Sequence, residues 1–454
     1  MIANPRRMLA LTSILLCCFG ASASSLPRFA LRGGEVDCRG CHVDPTGGRM
    51  RTQGGDNFAM NRLPMWERGP KFSANIGDAI RIGVDMRSQY LYFGDHTTAD
   101  FVIPGHDSVL ARHILRDTTV KASGALEMAL PIYVSAKLSE SIEAFVKVNP
   151  IVSPLVSTTW EGYGIIHFVH SSGEFFDAGA IVGDAYFKVG AFYPAFGIRF
   201  DDHTVYTRGG NASFSGFGPA GLFWQPNYVD EGIELGAELF DHAFITADFL
   251  NGNEAGASLF KNDPLGPYAI ALRGVINTGP MMDHTVSAEI GGSLYAHTIQ
   301  HFPPQPPPGV GDSTARTWLT AIHGGIHVGP VSVLAEFDMG NFIYHVLPPN
   351  YPISNPVGQY SDTVHAMAIE TAVDITKGLT GILRFDNYYG GNVGGISTNI
   401  KTRLMVGAQW FPVRFLEFRP EFRVARGTAP SPADPTKLED HTETTALIQT
   451  HIFF

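Results

Sequence analysis

The chain has 454 residues, 50 of them glycine, with 17% charged residues, 11% aromatic residues and a formal net charge of −11. This length allows two ordinary domains or one large barrel, and the composition is not that of a disordered chain. The acidic balance argues against nucleic acid as a partner. Beyond residue 25 the sequence has no run of about 18 apolar residues, so it predicts no transmembrane helix.

The first 23 residues have the pattern of a secretory signal peptide. Arg6 and Arg7 form a positive amino-terminal region, residues 8–20 form an apolar stretch, and the small residues 21–23 offer an Ala-x-Ala cleavage site. A membrane-spanning helix would need a longer apolar stretch. The pattern therefore predicts export, with residues 1–23 removed.

Two cysteines remain after cleavage, because Cys17 and Cys18 leave with the signal peptide. Cys38 and Cys41 belong to the sequence Cys-Arg-Gly-Cys-His, which is the C-x-x-C-H pattern of c-type haem attachment. Two thiols at this spacing can meet the two vinyl groups of one porphyrin, and His42 can then bind the iron. A redox disulfide or half of a zinc site also uses a C-x-x-C pair, but the chain has no second cysteine pair and no βαβ pattern here. The motif therefore predicts one covalent haem c with His42 as an axial ligand.

The second axial ligand is not specified by this motif. Met50, Met60 and Met65 follow it closely, although packing is the more ordinary role of each methionine. A histidine from elsewhere is the other option, and His203 is the one we consider below. The candidates for the distal position are therefore His203, Met50 and Met60. Residues 24–72, which carry the motif, are few for an independent domain, and we expect them to need the haem and the rest of the chain.

From about residue 73 to residue 454 the chain repeats one pattern, in which segments of roughly ten residues alternate between apolar and polar side chains. The apolar residues of the first segment are Ile80, Ile82, Val84, Met86, Tyr90 and Tyr92. The polar residues between them are Arg81, Asp85, Arg87 and Gln89. A period of two places these sets on opposite faces of a β-strand. The pattern fits a soluble sandwich or a membrane barrel with lipid outside and water inside.

A segment near the end of the chain carries the same pattern with more charge. Its polar face consists of Glu417, Arg419, Glu421 and Arg423, and its apolar face of Leu416, Phe418, Phe422 and Val424. Four charges of alternating sign suggest a wet lumen lined by ion pairs. Pro420 is an imperfection in this strand, because proline removes one hydrogen bond from the ladder.

Counting such segments gives about sixteen strands, with connections whose lengths alternate. The predicted strands are 78–93, 118–138, 142–149, 162–180, 185–193, 231–239, 243–251, 268–277, 285–297, 317–328, 331–340, 362–375, 379–390, 402–411, 415–426 and 443–454. Connections after the odd-numbered strands are long, for example 94–117 and 427–442, whereas those after the even-numbered strands are mostly short. Short periplasmic turns and long external loops are the signature of outer-membrane barrels, and a sandwich predicts no such alternation. The sequence therefore predicts an all-β fold, a transmembrane antiparallel β-barrel behind a short c-type haem segment.

The longest connection, 194–230, follows the fifth strand. Loops of this length are usually functional or disordered. In sixteen-stranded barrels the third external loop often folds inward and narrows the pore, and this connection is that loop. Such a fold would bring His203 toward the lumen, which makes it a candidate distal haem ligand beside the simpler role of a loop histidine.

The architecture of the whole chain resembles the fused monohaem cytochrome–porins of bacterial outer membranes, of which the outer-membrane cytochromes of iron-oxidising bacteria are best known. The terminal Phe454 looks like the insertion signal of outer-membrane proteins, and Phe29-Ala30-x-Arg32-x-Gly34 is similar to the approach to the haem in that group. Two further motifs resemble a different group of barrel proteins more closely than the iron-oxidiser cytochromes. That group pairs C-x-x-C-H-x-x-P-T-G-G with a P-x-F-G-x-R…D-H-T segment, which here are residues 38–48 and the segment from Pro194 to Thr204. This departure from the iron-oxidiser pattern leaves open whether iron is the substrate.

This resemblance implies electron transfer through the outer membrane. The barrel would sheathe the haem, which would exchange electrons between an extracellular donor or acceptor, with Fe(II) as one candidate, and a periplasmic cytochrome or other redox carrier. The alternative is a diffusion porin whose haem segment is a plug or a redox-sensitive gate. A third class is an enzyme with an open haem coordination site, for which the sequence shows no paired catalytic carboxylates or hydrolase triad. Partners would include outer-membrane lipid, and the sequence does not choose between monomer and trimer.

Overall fold

We describe the fold from a computed structural model of the chain. The described residues are 27–33, 35, 38–48, 50–69, 74–77, 79–103, 112–150, 160–169, 182–198, 205–208, 229–252, 269–282, 285–299, 315–341, 363–389, 392–393, 396–397, 400–430 and 438–454. The predicted signal peptide, 1–23, therefore lies outside the described residues. Neither helix within the described ranges is long and apolar enough to cross a bilayer.

Two short helices precede the sheet, α1 (Pro27–Gly33) and α2 (Gln53–Asn61). Sixteen antiparallel strands follow in chain order: β1 (Ile80–Ile103), β2 (Arg112–Ala129 and Ile132–Lys137), β3 (Ile142–Val148), β4 (Trp160–Val169), β5 (Val182–Phe192), β6 (Asp230–Leu239), β7 (Ala243–Leu250), β8 (Ala269–Asn277), β9 (Val286–Ile299), β10 (Ala315–Val328), β11 (Val331–Asn341), β12 (Thr363–Thr376), β13 (Leu379–Tyr389), β14 (Ile400–Trp410), β15 (Leu416–Pro430) and β16 (Leu438–Phe453). A short strand Asn75–Ile76 pairs with the start of β1, and Asn392–Val393 pairs with Ile396–Ser397 between β13 and β14.

The sheet closes on itself. Each strand pairs with its neighbours in sequence, and β16 returns to pair with β1, with Asp85 opposite Phe453. A closed sheet has no unpaired edge, which removes the open row of amide and carbonyl groups that an edge strand presents. The predicted antiparallel barrel of sixteen strands is confirmed, and every predicted strand has a counterpart.

Several predicted boundaries differ from the structure, and one falls outside the described residues. The second strand, predicted as 118–138, is interrupted at Pro131, because proline has no amide hydrogen for the ladder. The fourth, predicted as 162–180, is described only as Trp160–Val169, since residues 170–181 lie outside the described residues. The connection predicted as 94–117 was wrong at both ends, because β1 and β2 stay paired as far as Ile103 and Arg112.

The first hairpin extends beyond the alternating pattern for a physical reason. Alternation is required only where one face of a strand is buried in an apolar environment, and a ladder outside that zone can carry polar residues on both faces. The same effect extends β15 to Pro430 and begins β16 at Leu438, inside the predicted connection 427–442. Hydrophobic periodicity therefore shows the part of a hairpin that has an apolar outer face and misses its extension.

Pro420 has the predicted local effect. It lies within β15, and the ladder to β16 continues past it, with Pro420 opposite Ile448. On the other side the registered pairs between β14 and β15 pass directly from Gly407–Glu421 to Trp410–Phe418. The ladder is therefore interrupted on one side only, where the proline nitrogen cannot donate.

The two faces of the barrel wall differ in polarity as predicted. Tyr90 of β1 and Phe422 of β15 are 54% and 50% exposed on the outer face, whereas Asp85 and Glu421 of the same strands are buried on the inner face. Other exposed apolar side chains continue the outer surface around the barrel: Ile132, Val146, Ile233, Ile245, Leu272, Ile290, Ile322, Phe337, Leu383 and Leu404.

The lumen is lined by ion pairs, which also confirms the prediction. Arg419 lies 2.7 Å from Glu421 on β15. Across two strands, Asp386 of β13 pairs with Arg384 at 3.2 Å and with Arg403 of β14 at 2.9 Å. Buried charges of this kind persist only where they are paired, because an isolated charge loses its hydration.

The third external loop folds into the lumen over its described residues. The amides of Ala195 and Ile198 donate to Asp248 of β7 and Glu336 of β11, at 2.8 and 2.7 Å. Farther along the loop, Tyr206 lies beneath the guanidinium of Arg403, 4.3 Å from the ring centre. The inward course predicted for this loop is therefore confirmed where the structure describes it.

Candidate functional site

The cysteines and histidine of the C-x-x-C-H sequence are brought together by one tight turn. The Cys38 carbonyl oxygen accepts hydrogen bonds from the amides of Cys41 at 3.1 Å and His42 at 2.7 Å. The two cysteines are not joined in a disulfide, and both are partly exposed, whereas His42 is buried. The predicted residues therefore share one site.

The turn is held by the segment that follows it. The Val43 amide donates to the Met50 carbonyl at 3.0 Å, and the Thr52 amide donates to the Cys41 carbonyl at 3.0 Å. The Thr52 hydroxyl accepts a hydrogen bond from the Gly55 amide at 3.3 Å, and Thr52 therefore caps the amino terminus of α2. Helix α2 is thus attached directly to the motif.

Two glycines allow this close packing. Gly47 has a φ of +91°, and a Cβ there would lie 2.7 Å from the Cys38 sulfur. Gly55 lies against the Cys41 carbonyl oxygen, so that a Cβ would overlap it. Only glycine supplies both the left-handed backbone at 47 and the space at 55.

Cys38, Cys41 and His42 line a common cavity of about 250 Å³. Its apolar wall is formed by Phe29 of α1 and by Phe58, Ala59 and Leu63 in and after α2, and Arg51 adds a charged group. The rings of Phe29 and Phe58 are 5.2 Å apart. The rim residues Gly33, Glu35 and Gly40 are exposed, so the cavity opens toward solvent.

Helix α1 anchors the site to the inner wall of the barrel. Arg28 lies 3.4 Å from Glu370 and Arg32 lies 2.5 Å from Asp374, both on β12. Burial lowers the pKa of Arg28 to about 10, against the opposing effect of Glu370. These acidic partners lie toward the short-turn end of β12, so the helix occupies that end of the lumen.

Arg39 attaches the motif itself to the opposite part of the wall. Its guanidinium forms ion pairs with Asp184 of β5 and Glu238 of β6, of which Asp184 is the more deeply buried. Because Arg39 is one of the two residues between the cysteines, this contact sets where the motif lies relative to the barrel.

Asp44 provides a second, fully buried anchor. It lies 3.3 Å from the Lys188 ammonium of β5 and accepts a hydrogen bond from the Tyr163 hydroxyl of β4 at 3.4 Å. Lys188 also pairs with Glu234 of β6 at 2.7 Å. Asp44 also accepts a hydrogen bond from the Thr46 hydroxyl at 2.7 Å. Asp44 therefore connects the Pro-Thr-Gly-Gly turn to the barrel wall.

Burial also changes the acid–base properties of two residues at the cavity. It raises the pKa of the Cys41 thiol, with Arg51 acting in the opposite direction. It lowers the pKa of the Arg51 guanidinium, with Asp56 opposing this effect through charge and a hydrogen bond.

The predicted distal-ligand candidates lie apart from the cavity or outside the described residues. Met50 is buried against Gly83 of β1, and Met60 packs beside Phe411 and Phe415 at the β14–β15 turn. Neither methionine lines the cavity. His203 lies outside the described residues, so its role as distal ligand stays a prediction.

Sequence reasoning found the motif but missed its anchors. Arg39 and Asp44 each have a partner on a strand more than a hundred residues away, and no local pattern marks such pairs. Arg51 was also missed: its hydrogen-bonded partner, Asp56, is only five residues away, but no motif marks Arg51 as part of the cavity wall. Phe29 lies in the segment whose resemblance to a haem approach was noted, and that resemblance was the one available signal.

Comparison with known proteins identifies the barrel only as a fold. No protein-family model matches the chain, and no curated protein matches it. Among solved structures it is similar to the outer-membrane channel DcaP of Acinetobacter baumannii, with 9% identity, a TM-score of 0.47, and coverage of 83% of this chain and 99% of that one. An anion-selective porin from Comamonas acidovorans has 9% identity, a TM-score of 0.46, and coverage of 83% and 100%. OprB of Pseudomonas putida has 12% identity, a TM-score of 0.44, and coverage of 82% and 94%.

Proposed function

We propose that this protein spans the bacterial outer membrane. In a closed barrel every strand makes its backbone hydrogen bonds to the two neighbouring strands. In lipid a closed barrel is the one arrangement of strands that leaves no backbone group unpaired. The outer face is apolar and the lumen charged, as such a position requires. In this arrangement the short turns would face the periplasm, and the cavity of Cys38, Cys41 and His42 would lie on that side.

Haem c is the cofactor that best fits this cavity. Its residues offer two thiols for thioether bonds, an imidazole for the iron, and an apolar wall for the porphyrin. At about 250 Å³ the cavity is smaller than the usual range of ligand pockets, roughly 300–1,000 Å³. A porphyrin attached here would therefore keep an edge in solvent, where a periplasmic redox carrier could reach it.

The proposed function is electron transfer across the outer membrane through this haem. The observation that carries the proposal is the position of the C-x-x-C-H cavity inside a closed barrel, held by the ion pairs of Arg28, Arg39 and Asp44. The haem would supply one-electron chemistry, and the chain would hold it in place and restrict solvent around it. An extracellular donor or acceptor would approach from the long-loop side, where Fe(II) is one candidate donor.

A second candidate is a diffusion porin in which residues 24–72 form a haem-bearing plug or redox gate. The charged lumen favours it, since mixed ion pairs are also suited to passing hydrophilic solutes. The two functions differ in one physical property, because a porin must pass solutes and an electron conduit need not.

Proteoliposomes can separate these functions. Vesicles would enclose reduced cytochrome c, which is too large to escape, and a ferric chelate would be added outside. We expect each enclosed cytochrome to lose one electron, with one external Fe(III) reduced per electron, and no swelling in osmotic assays with small sugars. The matched control is the Cys38→Ser/Cys41→Ser variant. Oxidation at the same rate in that control would refute the electron-transfer proposal, and rapid swelling of wild-type vesicles would favour the porin.

A further inference from the structure

Arg51 is a buried cation at the wall of the candidate cavity. Its side chain is among those lining the space next to Cys41 and His42, and the residue is only 3% exposed. Its Nε donates to the Asp56 carboxylate at 3.1 Å. The guanidinium lies over the ring of Phe453, 5.4 Å from the centre, on the side of the barrel wall.

The hydrogen bonds of Arg51 are incomplete. Both of its terminal amino groups, Nη1 and Nη2, are buried, and within the described part of the chain neither has a hydrogen-bond partner. A buried donor without a partner is destabilising, and more so when it is charged. Two such groups on one guanidinium, next to a cavity, mark a place for a planar acceptor with two oxygens.

The charge of Arg51 is also incompletely balanced. Asp56, its one hydrogen-bonded carboxylate, is shared with Arg81 of β1, which lies 2.5 Å from it. The next carboxylate, Asp85, is engaged by Arg87 at 3.0 Å and by His451 at 2.8 Å. One carboxylate thus serves two guanidinium groups, and the other charged residue that lines the cavity, Glu35, lies at its exposed rim.

We propose that Arg51 binds a carboxylate of the group held in this cavity, which, if the proposed function is correct, is a haem propionate. The propionates are the two anionic groups of a haem, and a bidentate pair with a guanidinium would satisfy both free amino groups. The pair would also fix the rotation of the porphyrin about its thioether attachments. Because Arg51 favours the more reduced, less positive iron through its charge, it would raise the reduction potential of the haem.

The test compares Arg51→Gln, Arg51→Lys and the control Arg81→Gln in the full-length, haem-loaded protein. Arg81 shares Asp56 with Arg51 but does not line the cavity. We expect Arg51→Gln to shift the propionate bending band in the resonance Raman spectrum and to lower the midpoint potential. Arg51→Lys should keep most of the potential while altering the band, because it keeps the charge and loses the two-pronged geometry. Arg81→Gln should leave the band unchanged.

Two results would overturn this inference in different ways. If the wild-type protein carries covalent haem but Arg51→Gln has the wild-type band and potential, Arg51 does not bind a propionate, while the proposed function survives. If the wild-type protein exported under haem-attaching conditions carries no covalent haem, the proposed function and this inference both fail. Haem content measured on each variant before spectroscopy distinguishes these outcomes and identifies any variant that does not fold.

Discussion

Arg39 attaches the C-x-x-C-H motif to the barrel wall, because it lies between the two cysteines and forms ion pairs with Asp184 and Glu238. We expect Arg39→Gln to weaken docking of the motif by about 1–3 kcal/mol, since it removes the guanidinium that Asp184 and Glu238 share, although Asp184 keeps His167 at 3.1 Å. The measurable result is a larger conductance in planar bilayers. Arg62→Gln is the control, because Arg62 is exposed beyond the end of α2. Equal conductance of the Arg39→Gln variant and the wild type would contradict this role.

Gly55 tests the packing of α2 against the motif. A methyl group there would overlap the Cys41 carbonyl oxygen and touch the Arg51 Cβ at 3.0 Å, and such overpacking typically costs about 1–3 kcal/mol. We expect Gly55→Ala to reduce the yield of haem-loaded protein. In Gly164→Ala, the control on β4, the added methyl meets only the Glu143 carbonyl oxygen, at 4.0 Å. A normal yield for Gly55→Ala would show that this contact relaxes easily.

At the scale of elements, α1 and the third external loop meet inside the lumen. Leu31 of α1, Ile198 of the loop and Leu334 of β11 form one buried apolar cluster. We expect Ile198→Ala to destabilise the contact by roughly 2–5 kcal/mol, the usual cost of removing such a buried side chain. Hydrogen exchange in residues 27–33 should accelerate. The control Ile290→Ala removes a side chain that is 62% exposed on the outer face and should leave α1 unchanged.

If the cavity holds haem as proposed, the segment around the motif should depend on it more than the barrel does. In the Cys38→Ser/Cys41→Ser variant we expect faster hydrogen exchange over residues 38–48, because its apolar cavity would lose the group that fills it. Strands β9–β13 should keep their protection, because their ladders do not pass through this segment. Equal protection of residues 38–48 with and without haem would show that the wall contacts alone hold the segment.

For the whole molecule, the sequence predicted the barrel well because the two faces of its wall follow a simple rule. From Leu416 to Val424 of β15 the outward positions are apolar and the lumen positions are charged, so Phe422 and Glu421 could be assigned to faces directly. The alternation ends beyond the apolar part of the outer face, and for that reason the paired extension of β1 to Ile103 was missed.

Of the candidate site, the sequence could predict only which residues form the C-x-x-C-H motif. Cys38, Cys41 and His42 lie within five consecutive residues, so their pattern can be recognised from the sequence alone. The position of the site depends on Arg39 and Asp44 meeting carboxylates and a lysine on β5 and β6, which are contacts between distant parts of the chain. No periodicity or motif encodes such contacts, so the location of the site inside the barrel mouth required the structure.

The central claim is that the cavity at the barrel mouth holds one covalent haem. The most direct measurement is mass spectrometry of the intact exported protein and of its peptide containing residues 38–42, expressed in cells that attach c-type haem. The account predicts a mass increase of one haem on this peptide, an absorption spectrum with a histidine-ligated iron, and loss of both in the Cys38→Ser/Cys41→Ser variant. An exported, folded barrel whose Cys38 and Cys41 carry no haem, or are joined in a disulfide, would contradict it.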